Sequence, residues 1–152
     1  MEGKKAPNFK LMDQDEKVHT LSDYKGKWTL IYFYPKDLTS GCTVEAEGFR
    51  DNLKLLQKMD VAILGVSCDD VKSHKKFAEK LGLNFPLLAD TEKKMVEAYG
   101  VWVEKSMYGK KYMGIQRDSF LIDPSGKIVK HYKKVKPANH PAEVISDVKE
   151  YK

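Results

Sequence analysis

Two cysteines occur in the chain, and one of them lies where a reactive thiol is expected. Cys42 follows the apolar run at residues 28–34 and precedes a segment with helical periodicity. The first turn of a helix has unpaired N–H groups and a partial positive charge, and both favour a thiolate over a thiol. Because the thiolate is the nucleophilic form, this position suits a reactive cysteine. The alternative interpretation is a small buried hydrophobic residue, which is the usual fate of a free cysteine.

Three further residues have the chemistry to assist a nucleophile at Cys42. Pro35 ends the preceding apolar run and can wall a pocket without leaving an unpaired amide. The hydroxyl of Thr39 can accept one hydrogen bond and donate another to a bound oxygen. Arg117 is one of only two arginines, and its guanidinium can stabilise a thiolate and the negative charge that develops during attack. Each also has a structural interpretation, as a turn proline, a helix-capping threonine and a surface arginine.

The elements that would position these residues alternate along the chain. Runs of apolar, aromatic and β-branched residues predict strands at residues 27–34, 61–67, 85–89, 117–122 and 127–133. Helical patterns, caps and stops predict helices over residues 43–59, from 69 or 70 to 82, from 90 or 91 to 100, and from about 141 to the end. Residues 101–115 show no clear period and are predicted to form a long loop.

This order predicts an α/β fold in one domain, residues 1–152, preceded by a short extended N-terminal piece. Alternating strands and helices imply parallel pairs with right-handed crossovers, and a C-terminal hairpin adds antiparallel pairing. We therefore expect a central mixed sheet flanked by helices on both faces. The loops beyond the carboxyl ends of its strands should form the site, and both Cys42 and Cys68 follow such strands.

Composition excludes several other classes of function. The net charge is +5, but nearly all basic residues are lysines interleaved with acidic ones, which is typical of a solvated surface rather than of a nucleic-acid site. No run approaches the ~20 apolar residues of a membrane helix. An N-terminus without an apolar signal core and a low cysteine content predict the cytoplasm. The histidines lack ligand spacing, so we predict surface or capping roles and no metal site: His19, His74, His131 and His140.

The motif Pro35-x-x-x-Thr39-x-x-Cys42, with Arg117 far downstream, resembles the active-site signature of the peroxiredoxins. Further segments narrow this resemblance to the bacterioferritin-comigratory, or Q-type, subgroup and extend it over nearly the whole chain. They are FYPKD at residues 33–37, GCT at 41–43, GFRDN at 48–52, SHKKF at 73–77, YGVW at 99–102 and FLID at 120–123.

The resemblance implies a thioredoxin-like fold and the reduction of hydrogen peroxide and organic hydroperoxides without metal, haem or flavin. Cys42 would then be the peroxidatic cysteine that becomes a sulfenic acid, the first and reversible step of thiol oxidation. Thr39 would orient the thiolate and the peroxide, and Arg117 would stabilise the thiolate and the polarised O–O bond. Pro35 would shield the sulfenate from overoxidation. The subgroup is often monomeric, so a monomer is expected, with a dimer as the alternative.

The chain departs from this subgroup at the cysteine that would resolve the sulfenate. The two common positions are occupied by Glu47 and Ala78. One hypothesis is a one-cysteine enzyme that is regenerated by thioredoxin, glutaredoxin or a small thiol. The other is that Cys68 resolves Cys42, which requires Cα atoms within about 7 Å. A structural role for Cys68 is also open.

Two further functions use the same cysteine. Dithiol exchange of the thioredoxin type needs two nearby cysteines, and the corresponding segment at residues 39–42 begins with threonine, which excludes it. A non-catalytic redox sensor would pass oxidation from Cys42 to a partner through a mixed disulfide. Arg50 follows Cys42 by about two helical turns and is expected to anchor Asp37 or another loop carboxylate.

Overall fold

The computed structural model describes residues 1–151, so the predicted ends of the domain and of the last helix at Lys152 lie outside the described residues. The strands are β1 (Lys10–Met12), β2 (Val18–Thr20), β3 (Trp28–Phe33), β4 (Val61–Ser67), β5 (Leu87–Ala89), β6 (Trp102–Met107), β7 (Lys110–Ile115), β8 (Ser119–Ile122) and β9 (Ile128–Tyr132). The helices are α1 (Ser40–Asp51), α2 (Leu53–Lys58), α3 (Val71–Leu81), α4 (Lys94–Ala98) and α5 (His140–Tyr151).

The central sheet has five strands in the order β5-β4-β3-β8-β9. β3 pairs with β4 and β4 with β5 in parallel, whereas β8 is antiparallel to both β3 and β9. The predicted mixed sheet is therefore confirmed. Because β8 runs against β3, with Tyr32 opposite Ser119, the start of β8 lies at the edge where β3 ends. The residues just before β8 consequently meet the loop that follows β3.

The two faces of the sheet are covered unequally. Leu30 and Tyr32 of β3 pack with side chains from α1, α2, α3 and α5, while Ile31 and Phe33 face the N-terminal segment and α4. This alternation follows from the period of two along a strand, with both faces buried. In this packing α1 lies close to α5, because a Cβ at Gly48 would come within 2.7 Å of the Pro141 ring.

Two predicted boundaries differ in the structure. Residues 101–115, predicted to be a loop, form the hairpin β6–β7, whose turn at Tyr108 and Gly109 has positive φ at both residues. Such a two-residue turn matches the twist of paired strands, which explains a hairpin without a clear apolar period. The single helix predicted over residues 43–59 is divided at Asn52 into α1 and α2. Among residues 1–151, no helix combines the length and apolar character needed to cross a membrane.

Candidate active site

Cys42 is the third residue of α1, and its side chain is buried with 1% exposure. Thr39 is the N-cap of this helix, and Thr43 makes the first helical bond back to the Thr39 carbonyl at 2.9 Å. The sulfur therefore lies in the first turn, where free N–H groups and the helix dipole favour negative charge. This placement agrees with the sequence prediction of a cysteine at the start of a helix.

The fold brings Arg117 to this sulfur from a distant part of the sequence. Its Nη2 donates to Cys42 Sγ at 3.3 Å, across 75 residues of sequence. Arg117 lies two residues before β8, at the sheet edge where β3 ends, so the antiparallel pairing of these strands delivers it. Gly41 leaves room for the guanidinium, because a Cβ at that position would lie 3.2 Å from Arg117 Nη2.

A buried carboxylate, which the sequence analysis did not single out, completes the contact. Glu45 is fully buried, and its Oε1 accepts a hydrogen bond from Arg117 Nη1 at 2.8 Å. The guanidinium thus bridges Glu45 and Cys42, three residues apart on one face of α1. Burial raises the pKa of Glu45 to about 7, against the opposing effect of Arg117. Its Oε2 has no hydrogen-bond partner among the described residues.

The charged groups around the sulfur shift one another's pKa values. Burial disfavours the charge of Arg117, yet Glu45 and the Cys42 sulfur raise the pKa of the guanidinium above its usual value. Burial lowers the pKa of Lys105 on β6, and the nearby Arg117 adds to that effect. Burial likewise raises the pKa of Tyr32, to which Glu45 and Cys42 contribute. The site therefore holds a permanent cation beside the thiol.

The other two predicted site residues lie in the loop before α1. Thr39 is exposed, and its hydroxyl donates to the Lys36 carbonyl at 2.9 Å rather than to the sulfur. Pro35 follows Tyr34 at the end of β3 and is exposed. While it donates to Lys36, the Thr39 hydroxyl can still accept a hydrogen bond through its lone pairs.

A surface pocket of about 450 Å³ opens beside Arg117. Its walls combine cations with apolar and aromatic side chains from the β6–β7 hairpin and the segment after β9, among them Val103, Lys105, Tyr112, Lys134 and Val135. The hairpin, predicted to be a loop, therefore forms one wall of the pocket beside Arg117. The pocket reaches Arg117, whereas Cys42 is not among its lining residues.

Cys68 directly follows β4 but lies in different surroundings. It packs against the apolar cluster on the face of the sheet opposite to that of Cys42. Burial raises the pKa of its thiol to about 11, and Asp90 adds to the shift. Both cysteines are free thiols in the structure.

Other polar residues differ from the expectations for them. Arg50 binds Asp51 and donates to the Leu81 carbonyl at 2.6 Å, so it joins α1 to the end of α3; its carboxylate partners lie in α1 itself, and the expected anchor on Asp37 or another loop carboxylate is wrong. Of the surface or capping roles predicted for the histidines, a surface position is wrong for His19, His74 and His140, which are buried, and of these three only His140 lies at a helix end, as the first residue of α5. Each is paired with a polar side chain, which makes its burial possible.

One group of side chains has the ligand types of a metal site. The ligand atoms of Asp37, Asp69 and His74 all lie within 4.8 Å of one another. Hydrogen bonds inside the group, however, already engage these atoms, with His74 Nδ1 at 2.7 Å from Asp37 Oδ2. A metal ion would have to displace those bonds, so the group is better described as a hydrogen-bond network.

Comparison with known proteins gives a consistent family. Residues 2–131 match the model of the AhpC/TSA family. The chain is 47% identical to the peroxiredoxin Bcp of Bacillus subtilis over 148 residues, covering 97% of this chain and 94% of that protein. It is 48% identical to the peroxiredoxin Bcp of Escherichia coli strain K12 over 146 residues, covering 96% and 94% respectively.

Solved structures agree with this relationship. The bacterioferritin comigratory protein of Xanthomonas campestris superposes with a TM-score of 0.90 at 41% identity, covering 94% of this chain and 91% of that one. A cysteine-to-serine mutant of the PrxQ of Xylella fastidiosa gives a TM-score of 0.95 at 37% identity, covering 99% and 96%. The fold is thus the thioredoxin-like fold that the sequence predicts. By sequence and by structure, the chain belongs to the AhpC/TSA family and, within it, to the Bcp or Q type of peroxiredoxin, a family of thiol peroxidases.

Proposed function

We propose that the chain reduces hydrogen peroxide and organic hydroperoxides through the thiolate of Cys42. The observation that carries the proposal is the contact between Arg117 Nη2 and Cys42 Sγ at 3.3 Å in the first turn of α1. The sulfur attacks one peroxide oxygen as the O–O bond breaks, and the second oxygen leaves with the electron pair and takes a proton to become water or an alcohol. Cys42 becomes a sulfenic acid.

The neighbouring residues have separate roles in this proposal. Arg117 stabilises the thiolate and then the charge that develops on the leaving oxygen, which is the part of the reaction where a fixed cation helps most. Glu45 fixes one edge of the guanidinium at 2.8 Å and so leaves the other edge directed at the sulfur. Thr39 orients the peroxide through its hydroxyl, and Pro35 shields the sulfenate.

We further propose that the sulfenate is resolved by a thiol from another molecule. That thiol forms a mixed disulfide with Cys42 and releases water, and a second thiol then frees Cys42. Solved structures of the Xanthomonas campestris peroxiredoxin Q include serine variants of two different cysteines. Here Glu47 and Ala78 occupy the two common resolving positions, and Cys68 packs on the opposite face of the sheet. Thioredoxin, glutaredoxin or a small thiol would serve as reductant.

The setting of the reaction is also part of the proposal. Two cysteines without a disulfide suit a reducing compartment, for which we propose the cytoplasm. We propose a monomer, since the resemblance to the subgroup favours one. Size-exclusion chromatography with light scattering tests this, because a monomer has the 17.4 kDa of one chain.

Steady-state peroxide consumption with excess thiol tests the central proposal. The wild-type protein should turn over many times, and Cys42→Ser should consume peroxide no faster than the thiol alone. A non-catalytic redox sensor would instead consume about one equivalent of peroxide and stop. That outcome, or equal rates for the two proteins, would contradict the enzymatic assignment.

A further inference from the structure

A buried hydrogen-bond network joins the loop before α1 to helix α3. Asp37 in this loop is 4% exposed, and its Oδ1 accepts a hydrogen bond from the Tyr34 hydroxyl at 2.6 Å. Its Oδ2 accepts from the Ser73 hydroxyl at 2.8 Å and lies 2.7 Å from His74 Nδ1. Both Ser73 and the fully buried His74 belong to α3.

The partners of His74 fix the number of protons in the pair. Its Nε2 lies 2.9 Å from the Leu88 carbonyl, which can only accept, so Nε2 carries a proton. Its Nδ1 faces the Asp37 carboxyl group. One more proton must lie between these two groups, either on an imidazolium or on a carboxylic acid. Every polar atom of the pair is then satisfied, and removing one member leaves the other buried and unpaired.

The next residue shows why this loop needs an anchor. Leu38 has φ of 64°, in the left-handed region that is unfavourable for a residue with a Cβ. Its side chain is 49% exposed, so burial of the leucine offsets only part of that cost. The backbone N–H of Asp37 donates to Asp69 Oδ2 at 2.8 Å, which fixes the residue before Leu38 from a second side. Thr39, the N-cap of α1, follows directly.

We propose that Asp37 and His74 are positioning residues for Cys42. They hold the loop at residues 35–39 against α3, so that α1 starts where Arg117 reaches the sulfur. The consequence for peroxide reduction rests on the proposed function, whereas the effect on the thiol and on the loop does not. Neither side chain acts on the substrate, so their effect should be recovered by any pair that keeps the same hydrogen bonds.

The test compares Asp37→Ala and Asp37→Asn in a Cys68→Ser background, in which Cys42 is the only thiol. Asp37→Ala should lower the second-order rate with hydrogen peroxide between about 10- and 100-fold, as expected for a misplaced reacting group. It should also lower the thiolate absorbance near 240 nm at pH 7 and speed amide exchange in residues 35–43. Asp37→Asn should stay within about threefold of the parent rate, because neutral His74 can accept from the asparagine amide.

The matched control is Asp13→Ala, which breaks another buried pair, between Asp13 Oδ2 and His19 Nε2 at 2.6 Å, in the β1–β2 hairpin. Asp13→Ala should lower the free energy of unfolding. It should leave the peroxide rate, the thiolate absorbance and amide exchange in residues 35–43 unchanged. Equal readouts for Asp37→Ala and Asp13→Ala would overturn the proposal, as would a folded Asp37→Asn that falls as far as Asp37→Ala. If Asp37→Ala does not fold, the deciding variant is Tyr34→Phe, which removes the hydroxyl that donates to Asp37 Oδ1. We expect a several-fold loss of the peroxide rate, and an unchanged rate would contradict the proposal.

The three readouts separate this proposal from the proposed function. Thiolate absorbance and amide exchange report on Cys42 and its loop without any peroxide. The parent protein could fail to reduce peroxide while Asp37→Ala still changes both the thiolate absorbance and the amide exchange. That result would contradict the proposed function and support the positioning role.

Discussion

Cys42 and Cys68 follow the neighbouring strands β3 and β4 at one edge of the sheet, but they pack on opposite faces of it. Cys42 lies in the first turn of a helix with the Arg117 guanidinium 3.3 Å away. Cys68 has no such cation within bonding distance among the described residues, and burial with the nearby Asp90 raises its thiol pKa to about 11. A position after a strand is therefore not enough to favour a thiolate. The helix start and the Arg117 guanidinium distinguish Cys42 from Cys68.

The largest expected effect follows from exchanging each thiol for serine. Cys42→Ser should abolish peroxide turnover, because it removes the nucleophile, whereas Cys68→Ser should keep a rate within about twofold of wild type, since nothing in the proposed cycle uses it. Steady-state assays with excess external thiol measure both. A Cys68→Ser variant that reacts once and then stalls would show that Cys68 resolves the sulfenate.

The next effect concerns the cation that distinguishes the two sites. Arg117→Ala should lower the second-order rate with peroxide by about a hundredfold or more, because it removes one preorganised donor to the developing charge. The other arginine provides the control, since Arg50 joins α1 to the Leu81 carbonyl and does not contact the sulfur. Arg50→Ala should keep the rate within a few-fold. A wild-type rate in Arg117→Ala would refute its assigned role.

A third effect, on stability, comes from the buried carboxylate at the Cys42 site. The folded pKa of Glu45 is raised to about 7 from its ordinary 4.5. Its contribution to stability is therefore fully present below about pH 4.5 and is lost as the pH rises through about 7. Relative to Glu45→Gln, the wild-type unfolding free energy should fall by an amount on the order of 3 kcal/mol over this window.

Urea unfolding at pH 4.5, 6 and 8 measures this difference. Glutamine keeps an oxygen that can accept from Arg117, so the comparison changes the titrating group and little else. Glu47→Gln, two residues along the same helix and partly exposed, is the control for a glutamate-to-glutamine change in α1. A constant gap between wild type and Glu45→Gln would mean that Glu45 does not titrate in this range.

The smallest expected effect concerns the close approach of Arg117 to α1. A methyl group at Gly41 would lie 3.2 Å from Arg117 Nη2, so the flexible guanidinium must shift by a few tenths of an ångström. Gly41→Ala should lower the peroxide rate by about three- to tenfold and leave stability nearly unchanged. Gly26→Ala does not serve as a control, because φ is +86° there and the substitution would add strain. A rate above wild type would show that Arg117 is not optimally placed.

The sequence predicts the core of the fold and misses the parts that depend on distant partners. β3 and β4 are buried on both faces, so they form continuous apolar runs that identify them as central strands. The β6–β7 hairpin was missed because much of its surface is exposed, including Tyr108 at 98%, and its apolar residues therefore follow no clear period.

The site shows the same limit at the level of single residues. The apolar period of α1 predicts Val44 on the buried face, yet Val44 is 44% exposed and Glu45 is fully buried. Glu45 is buried because Arg117 arrives from 72 residues away, which no local pattern shows. The burial of His74 is likewise not predictable from local sequence. Its partners Asp37 and Leu88 come from the loop after β3 and from β5. Cys42 and Arg117 are predictable because a helix start after a buried strand marks the cysteine, and the resemblance to the peroxiredoxin signature marks both residues.

The most direct test of the difference between the two thiols is mass spectrometry after one equivalent of peroxide in the presence of dimedone. We expect a dimedone adduct on Cys42, which reports a sulfenic acid, and an unmodified Cys68. A disulfide between Cys42 and Cys68, or an adduct on Cys68 with Cys42 unmodified, would contradict the account.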